Sequence, residues 1–196
     1  MVACSSDDNS RIYECTEVIG VSVTADWFQA GFKKLVRSDH FQLRAKEHAF
    51  VELWSNVKSP LWTMNVESPC PKKAKPDRVL FTAVNFEFKT TKEWEASLLA
   101  VVKAIKERHY SVERIELLTM LRAPHNKSCG DEKTVVNAII DNAIKAVVVA
   151  HPGLVVAGPK LEAPSCDVFL KGGPHFSDKG KAQVAEIYAN YYADHR

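Results

Sequence analysis

Short apolar runs that alternate with amphipathic segments constrain the fold of this chain more than any other feature. The runs have the length and the β-branched content of buried strands, and the segments between them repeat apolar residues at helical spacing. Strands are predicted at residues 17–23, 48–54, 78–84, 115–120 and 154–157. Helices are predicted over residues 24–36, from Thr90, over 133–150 and from Ser177 onward. This alternation predicts a three-layer α/β/α sandwich around a mainly parallel sheet, of the flavodoxin-like type.

The 196 residues show no internal repeat and no change in composition that would mark a linker. We therefore expect a flexible N-terminal segment, residues 1–15, followed by a single domain, residues 16–196. A net charge of +2 and the lack of a basic stripe give no indication of nucleic-acid binding. No run is apolar for long enough to span a membrane.

Motifs for metals and nucleotide cofactors are missing from the sequence. The five cysteines form no CxxC pair and no cysteine–histidine spacing of a zinc site. Neither the GxGxxG pattern nor the P-loop pattern occurs. His109, His125 and His151 are scattered between the predicted elements, and we expect them at the surface. The sequence therefore predicts no metal and no cofactor.

Three cysteines, Cys70, Cys129 and Cys166, lie in polar loops rich in proline, glycine and serine. Because reduced structural cysteines prefer the core, cysteines in loops indicate disulfides and an oxidising, extracytoplasmic compartment. Cys4 is the cysteine left over, and the surrounding VACSSDD resembles the lipidation junction of a bacterial lipoprotein. Cys4 is therefore either a lipid anchor or a free thiol in a disordered terminus.

The candidate functional residues follow predicted strands or precede the last helix. Ser22 lies at the end of the first strand, with Thr24 and Asp26 just beyond it, and Asn85 follows the strand at residues 78–84. His175 lies in a loop with two glycines and a proline, just before a helix whose N-cap is expected at Ser177 or Asp178. In open α/β sheets, ligands bind beyond the carboxyl ends of the strands, so these side chains are expected to share one rim.

Three stretches resemble the conserved blocks of the SGNH (GDSL-type) hydrolases, in the family's order. The segment GVSVT is similar to the family's "GDSxT", and GGPHFSDKG is similar to "DGxHLTxxG". The segment PDRVLFTAVNFE is similar to "PDxVxxxxG" followed by "GxND". No block is intact, since Val21 and Gly172 replace the family's aspartates and Ala83 replaces a glycine. The second block has no glycine to assign, so Asn56 or a backbone amide near it is the candidate there.

The resemblance implies a serine esterase that acts on acetyl or short-chain acyl esters, including glycan esters. In it, Ser22 is the nucleophile, His175 is the general base, and the Ser22 backbone N–H, Asn85 and Asn56 form the oxyanion hole. Either Asp167 or a backbone carbonyl of residues 172–174 orients the imidazole. Two alternatives remain: an O-acyltransferase acting on a glycan, or a catalytically impaired binding protein on the same scaffold.

Aromatic side chains near the expected cleft have two interpretations. Trp54, Trp62 and Phe86 either line the cleft, where they would suit an acyl group or a sugar ring, or belong to the core.

Overall fold

The computed structural model describes residues 13–72, 75–126, 128–130, 137–171 and 173–194. Its centre is a sheet of five strands, all parallel, in the order β2-β1-β3-β4-β5. The strands are β1 (Thr16–Gly20), β2 (Phe41–Ala45), β3 (Arg78–Thr82), β4 (Arg114–Leu118) and β5 (Val155–Ala157). This is the strand order of flavodoxin-like folds, and the predicted fold class is confirmed.

Helices cover both faces of the sheet. They are α1 (Ser22–Trp27), which continues through a π-helical turn (Phe28–Phe32) into α2 (Lys33–Leu35), then α3 (Val51–Ser55), α4 (Thr91–Arg108), α5 (Ala138–Ala150) and α6 (Asp178–Ala193). Neighbouring residues of β1 point to opposite sides: Val18 packs with α1 and α6, and Ile19 packs with α3, α4 and α5. Two separate apolar cores result, as a sheet buried on both faces requires.

The helix starts follow the cap signals in the sequence. Thr90 and Glu93 form the expected capping box, with the Glu93 N–H donating to Thr90 Oγ1 at 3.2 Å and the Thr90 N–H donating to Glu93 Oε2 at 2.8 Å. Ser177 caps α6 by accepting a hydrogen bond from the Gly180 N–H at 3.0 Å. The predicted starts of α4 and α6 are therefore confirmed.

The second strand is not where the sequence predicts it. Residues 48–54 were expected to form a strand, but Val51–Ser55 is helix α3, and the strand is Phe41–Ala45. Val51 and Trp54 are buried while the residues between them are exposed, which is helical spacing rather than alternation. The first predicted strand also ends early, because a helix begins at Ser22.

A buried polar cluster explains why the sequence of β2 lacks the apolar pattern of a buried strand. Gln42 and Arg44 of β2 are buried because both donate to the Glu17 carboxylate of β1, at 2.5 Å and 2.6 Å. His109 is buried beside them, with its Nε2 3.7 Å from Glu17 Oε1, so its expected surface position is wrong. Burial raises the pKa of Glu17, but the His109 imidazole and the Arg44 guanidinium outweigh it and lower that pKa to about 2.

Two disulfides, Cys15–Cys70 and Cys129–Cys166, confirm the prediction from the loop cysteines. Cys4, the candidate lipid anchor, lies outside the described residues. Within the described ranges, no helix combines the length and the apolarity needed to cross a membrane.

Candidate active site

The sheet order places three chain segments side by side at the carboxyl ends of the strands. β1 lies between β2 and β3, so the segment beginning at Ser22 is flanked by the loops that follow those two strands. The flanking loops meet each other, since the Val51 N–H donates to the Val84 carbonyl at 3.0 Å and the rings of Phe50 and Phe86 lie 5.3 Å apart. The rim expected from the sequence therefore exists, with Ser22 at its centre.

Ser22 is the first residue of α1 and follows β1 with one residue between them. Val21 is extended and its carbonyl accepts from the N–H groups of Thr24 and Ala25, which starts the helix at once. A Cβ added at Gly20 would lie 2.8 Å from Thr24 Cβ, so this tight strand-to-helix turn requires glycine there. Gly20 is thus required by its contact with Thr24, and Ser22 lies half-buried at the rim.

His175 is presented by a hairpin-like loop braced on the start of α6. The Leu170 N–H donates to the His175 carbonyl at 2.7 Å, Phe169 pairs with Phe176, and the Ser177 N–H donates to the Val168 carbonyl at 2.9 Å. The Cys129–Cys166 disulfide lies just before this loop. The imidazole is thereby held outward, with 43% of the side chain exposed.

The structure brings His175 to the helix that begins with Ser22. Its Nδ1 lies 3.2 Å from Oδ2 of Asp26, which is one helical turn beyond Ser22 on α1. Lys181 of α6 lies on the other carboxylate oxygen, with Nζ 3.3 Å from Oδ1. No hydrogen bond joins Ser22 to the imidazole in the described part of the chain. The ring nitrogen that faces Asp26 is Nδ1, so Nε2 is the one left for a substrate or a nucleophile.

Packing between α1 and α6 keeps these groups together. The rings of Trp27, the residue after Asp26 on α1, and Tyr188 of α6 stack at 4.3 Å with an interplanar angle of 9°. Phe32 packs edge-on against Trp27 at 4.9 Å. Both rings of the stacked pair are buried, and burial raises the pKa of Tyr188. The apolar face predicted for the last helix thus packs α6, and with it the loop that carries His175, against α1.

Asn85 lies at the rim with its side-chain amide fixed in orientation. Its Oδ1 accepts from the N–H groups of Glu87 and Phe88 at 2.6 Å and 2.8 Å, forming a turn over its own backbone. Its Nδ2 donates to Glu52 of α3. The two bonds at Oδ1 settle which end of the amide carries the donors, and one of the two Nδ2 hydrogens has no partner among the described residues.

Two other predicted site residues lie elsewhere. Asn56 follows the last residue of α3, where its Oδ1 accepts from the Lys58 N–H at 3.0 Å. The next residue, Val57, bonds through its carbonyl to Arg108 in the last turn of α4, a helix that runs from the carboxyl edge to the amino edge of the sheet. The structure therefore places Asn56 toward the far edge and does not bring it to Ser22.

Asp167 is exposed and turns away from the imidazole. Its carboxylate accepts from the Ser165 hydroxyl, a bond that lowers the pKa of Asp167, and its carbonyl accepts from Ser177 Oγ at 2.9 Å. Gly172, the position of the family's aspartate, lies outside the described residues. Asp26 is not assigned to His175 from the sequence, because Ser22 is predicted in a strand. Only the helix that begins at Ser22 shows that Asp26 lies one turn beyond it.

Of the three aromatic residues considered for the cleft, the two tryptophans belong to the core. Trp54 and Trp62 are 0% and 6% exposed and pack against each other. Phe86, next to Asn85, is 36% exposed and stands at the rim against Phe50.

No family model matches the chain, and no curated protein matches it either. Solved structures do match. The C-terminal catalytic domain of Streptococcus pneumoniae peptidoglycan O-acetyltransferase A, determined with a methylsulfonyl adduct, is 14% identical with a TM-score of 0.55, over 93% of this chain and 92% of that one. The periplasmic domain of a lipopolysaccharide acetyltransferase from Salmonella ser. Paratyphi A is 15% identical with a TM-score of 0.54, over 94% and 85% of the two chains.

A carbohydrate esterase of family 3 from Talaromyces cellulolyticus is also similar, with 14% identity and a TM-score of 0.53 over 91% of this chain and 96% of that one. These neighbours are acyltransferase or esterase domains of the SGNH type, so the predicted resemblance is confirmed at the level of the fold. Identities this low establish the fold alone, and the chemistry has to be argued from the site.

Proposed function

We propose that the protein is a serine esterase that hydrolyses acetyl or short-chain acyl esters, with Ser22 as nucleophile and His175 as general base. The observation that carries the proposal is the contact between the His175 imidazole and α1, the helix whose first residue is Ser22. The likeness in fold to acetyltransferase and esterase domains supports the same reaction class.

The proposed reaction uses the two ends of the imidazole differently. Ser22 Oγ attacks the ester carbonyl carbon while His175 Nε2 takes the hydroxyl proton. The oxyanion accepts hydrogen bonds from the Ser22 backbone N–H and from the remaining Nδ2 hydrogen of Asn85, each such donor contributing roughly 10²–10³ in rate. Collapse breaks the bond to the alcohol, which leaves with the proton from His175. Water then attacks the acyl-Ser22 carbon, gives its proton to His175, and releases the carboxylic acid as the serine is restored.

Transfer of the acyl group to a sugar hydroxyl is the second candidate function. The observation that favours it is the exposed Phe86 ring, which with Phe50 forms an aromatic surface beside Asn85 on the open rim. An aromatic face of this kind suits the C–H face of a sugar ring. Two of the structural neighbours are, by description, acetyltransferases of peptidoglycan and of lipopolysaccharide. A sugar hydroxyl in place of water would receive the acyl group by the same steps.

The proposed compartment is extracytoplasmic. The two disulfides require an oxidising environment to persist. Attachment through a lipid on Cys4 remains part of this proposal.

Hydrolysis of p-nitrophenyl acetate and butyrate by the wild type and by Ser22→Ala tests the function. We expect kcat/KM to fall at least about 10³-fold in Ser22→Ala. The matched control is Ser55→Ala, which is expected to leave the rate unchanged. Among the described residues, the Ser55 hydroxyl bonds to the Glu52 carbonyl of its own helix alone. A sulfonyl fluoride should label the wild type and not Ser22→Ala, as seen by intact mass. Equal rates in wild type and Ser22→Ala, with no labelling, would exclude a serine enzyme and leave the binding-protein alternative.

Transfer is distinguished from hydrolysis in the same assay. Chitooligosaccharides added as acceptors should be acetylated, as measured by mass spectrometry, if the protein is a transferase. Free acetate alone, at a rate that the acceptors do not change, indicates an esterase.

A further inference from the structure

The orientation of His175 is the unsolved element of the proposed mechanism. A serine–histidine pair needs a group on Nδ1 that selects the tautomer with a free Nε2 lone pair, and disabling that group in serine proteases costs roughly 10⁴ in turnover. The SGNH family supplies an aspartate three residues before the histidine, and here that position is Gly172. Another group must therefore take this part if the site is active.

We propose that Asp26 is the positioning residue for His175, an inference that rests on the proposed function. Asp26 Oδ2 lies 3.2 Å from Nδ1, within hydrogen-bond reach. Its side chain is 18% exposed, against 43% for the histidine, so the carboxylate is the more enclosed partner. Nδ1–H donation to Asp26 leaves the Nε2 lone pair to accept the Ser22 proton.

The Asp26 carboxylate is held by two partners rather than one. Oδ2 faces the imidazole, and Oδ1 lies 3.3 Å from the ammonium group of Lys181. A separate partner on each oxygen fixes the plane of the carboxylate. Lys181 also lies 3.7 Å from Asp178, a fully exposed residue in the same turn of α6. The loop before α6 therefore supplies the histidine, and the first turn of α6 supplies the cation that holds its acidic partner.

The alternatives at Nδ1 are weaker. Asp167 is exposed and accepts from Ser165 instead of the imidazole. A backbone carbonyl of residues 173 and 174 would have to displace Asp26 from Nδ1. Within the described ranges, Asp26 is the acceptor that the ring meets.

This arrangement makes one helix supply both the nucleophile and the acid. Ser22 and Asp26 are four residues apart on α1, so their separation is set by one helical turn. In the family pattern, the acid and the histidine share a loop and the nucleophile comes from a separate element. Here only the histidine comes from a different element, the loop before α6. The stacked Trp27 and Tyr188 rings hold α6 against α1.

The test compares Asp26→Asn with the matched control Asp167→Asn, using p-nitrophenyl acetate. Asparagine is isosteric but cannot stabilise an imidazolium, so we expect Asp26→Asn to lower kcat roughly 10²–10⁴-fold with KM within about twofold of wild type. Asp167→Asn should change neither parameter. A wild-type kcat in Asp26→Asn, or an equal loss in Asp167→Asn, would overturn the proposal.

A spectroscopic measurement separates this inference from the proposed function. Nitrogen-15 NMR of the imidazole in the Ser22→Ala background, assigned by loss of the signal in His175→Ala, reports the tautomer without any turnover. We expect the Nδ1–H tautomer with Asp26 present and a shift toward Nε2–H in Ser22→Ala/Asp26→Asn. An Nε2–H tautomer in the Ser22→Ala parent itself contradicts the role of Asp26, even where Asp26→Asn fails to fold. If Ser22→Ala shows the expected Nδ1–H tautomer but the wild type has no esterase activity, the esterase proposal is rejected and the pairing of Asp26 with His175 is retained.

Discussion

Replacing Gly180 by alanine is expected to damage the base of the histidine loop. Gly180 lies in the first turn of α6 and is buried against the backbone of Val168. An added Cβ would contact the Val168 carbonyl oxygen, and it would lie 2.8 Å from the Val168 carbonyl carbon and 2.9 Å from Ser177 Oγ. Two of these three atoms are backbone and the third is the helix cap, so none can rotate away. The chain has to separate α6 from Val168.

The expected cost follows from the contacts at that point. Overpacking of this kind costs about 1–3 kcal/mol. The Val168 carbonyl also accepts from the Ser177 N–H at 2.9 Å and from Ser177 Oγ at 3.3 Å, and weakening these bonds costs about 0.5–1.5 kcal/mol each. The higher helix propensity of alanine offsets about 1 kcal/mol of this loss in stability. We therefore expect a net loss of about 2 kcal/mol in the free energy of unfolding.

Gly173 provides the matched control, because it lies in the same loop and an added Cβ there would meet nothing within 4 Å. Urea unfolding should show Gly173→Ala within about 0.5 kcal/mol of wild type and Gly180→Ala about 2 kcal/mol less stable. Esterase kcat should fall about tenfold or more in Gly180→Ala, because the His175 loop shifts relative to α1. Wild-type stability in Gly180→Ala, or an equal loss in Gly173→Ala, would refute the reasoning.

Two further predictions concern stability. The pKa of Glu17 is lowered from 4.5 to about 2, so its ionised form stabilises the fold above pH 4.5 and this contribution is lost as pH falls toward 2. The difference in unfolding free energy between wild type and Glu17→Gln should therefore shrink by about 3 kcal/mol between pH 6 and pH 2 in urea titrations, and a constant difference would contradict this. Replacing both cysteines of Cys129–Cys166 by serine should cost about 4 kcal/mol, from the closure of a loop with a sequence separation of 37, and should also lower kcat. The same replacement at Cys15–Cys70 should lower stability but leave kcat of the folded protein unchanged. An equal loss of kcat in the two double variants would argue against a specific link between Cys129–Cys166 and the site.

The parts of the fold that the sequence predicts well are those in which local signals and burial agree. Helix α4 combines the Thr90–Glu93 capping box with a stripe of buried apolar residues, and both are present in the structure. Strand β2 shows the opposite case. Gln42 and Arg44 are polar residues on a buried strand, and their burial is permitted by hydrogen bonds to Glu17 and to backbone groups of Trp62, Met64 and Cys70. A pairing between strands far apart in sequence leaves no periodic signal, so the prediction shifted the strand to residues 48–54.

In the candidate site too, positions with a local sequence signal are predicted, and positions that depend on tertiary structure are not. Asn85 follows β3 and His175 precedes the Ser177 cap, as local sequence predicts, whereas Ser22 begins a helix instead of ending a strand. The parallel sheet places all three segments toward one rim. Asn56 is the sequence candidate for the oxyanion hole because the second block has no glycine. It follows the last residue of α3, so it lies away from that rim. Residues 48–54 are predicted to form a strand, so the sequence does not reveal the five-residue helix α3 or the position of Asn56 at its C-terminal end.

Asp26 shows what a block-by-block comparison leaves out. The family's aspartate position and Asp167 are both close to His175 in sequence, whereas Asp26 lies 149 residues away. Because α1 begins at Ser22, the spacing of four residues places Asp26 one turn beyond the proposed nucleophile. The start of that helix depends in turn on Gly20, because a side chain there would collide with Thr24. The short segment from Gly20 to Asp26 therefore positions the proposed nucleophile and its acid together, and a histidine from the last loop completes the set only because α6 packs on α1.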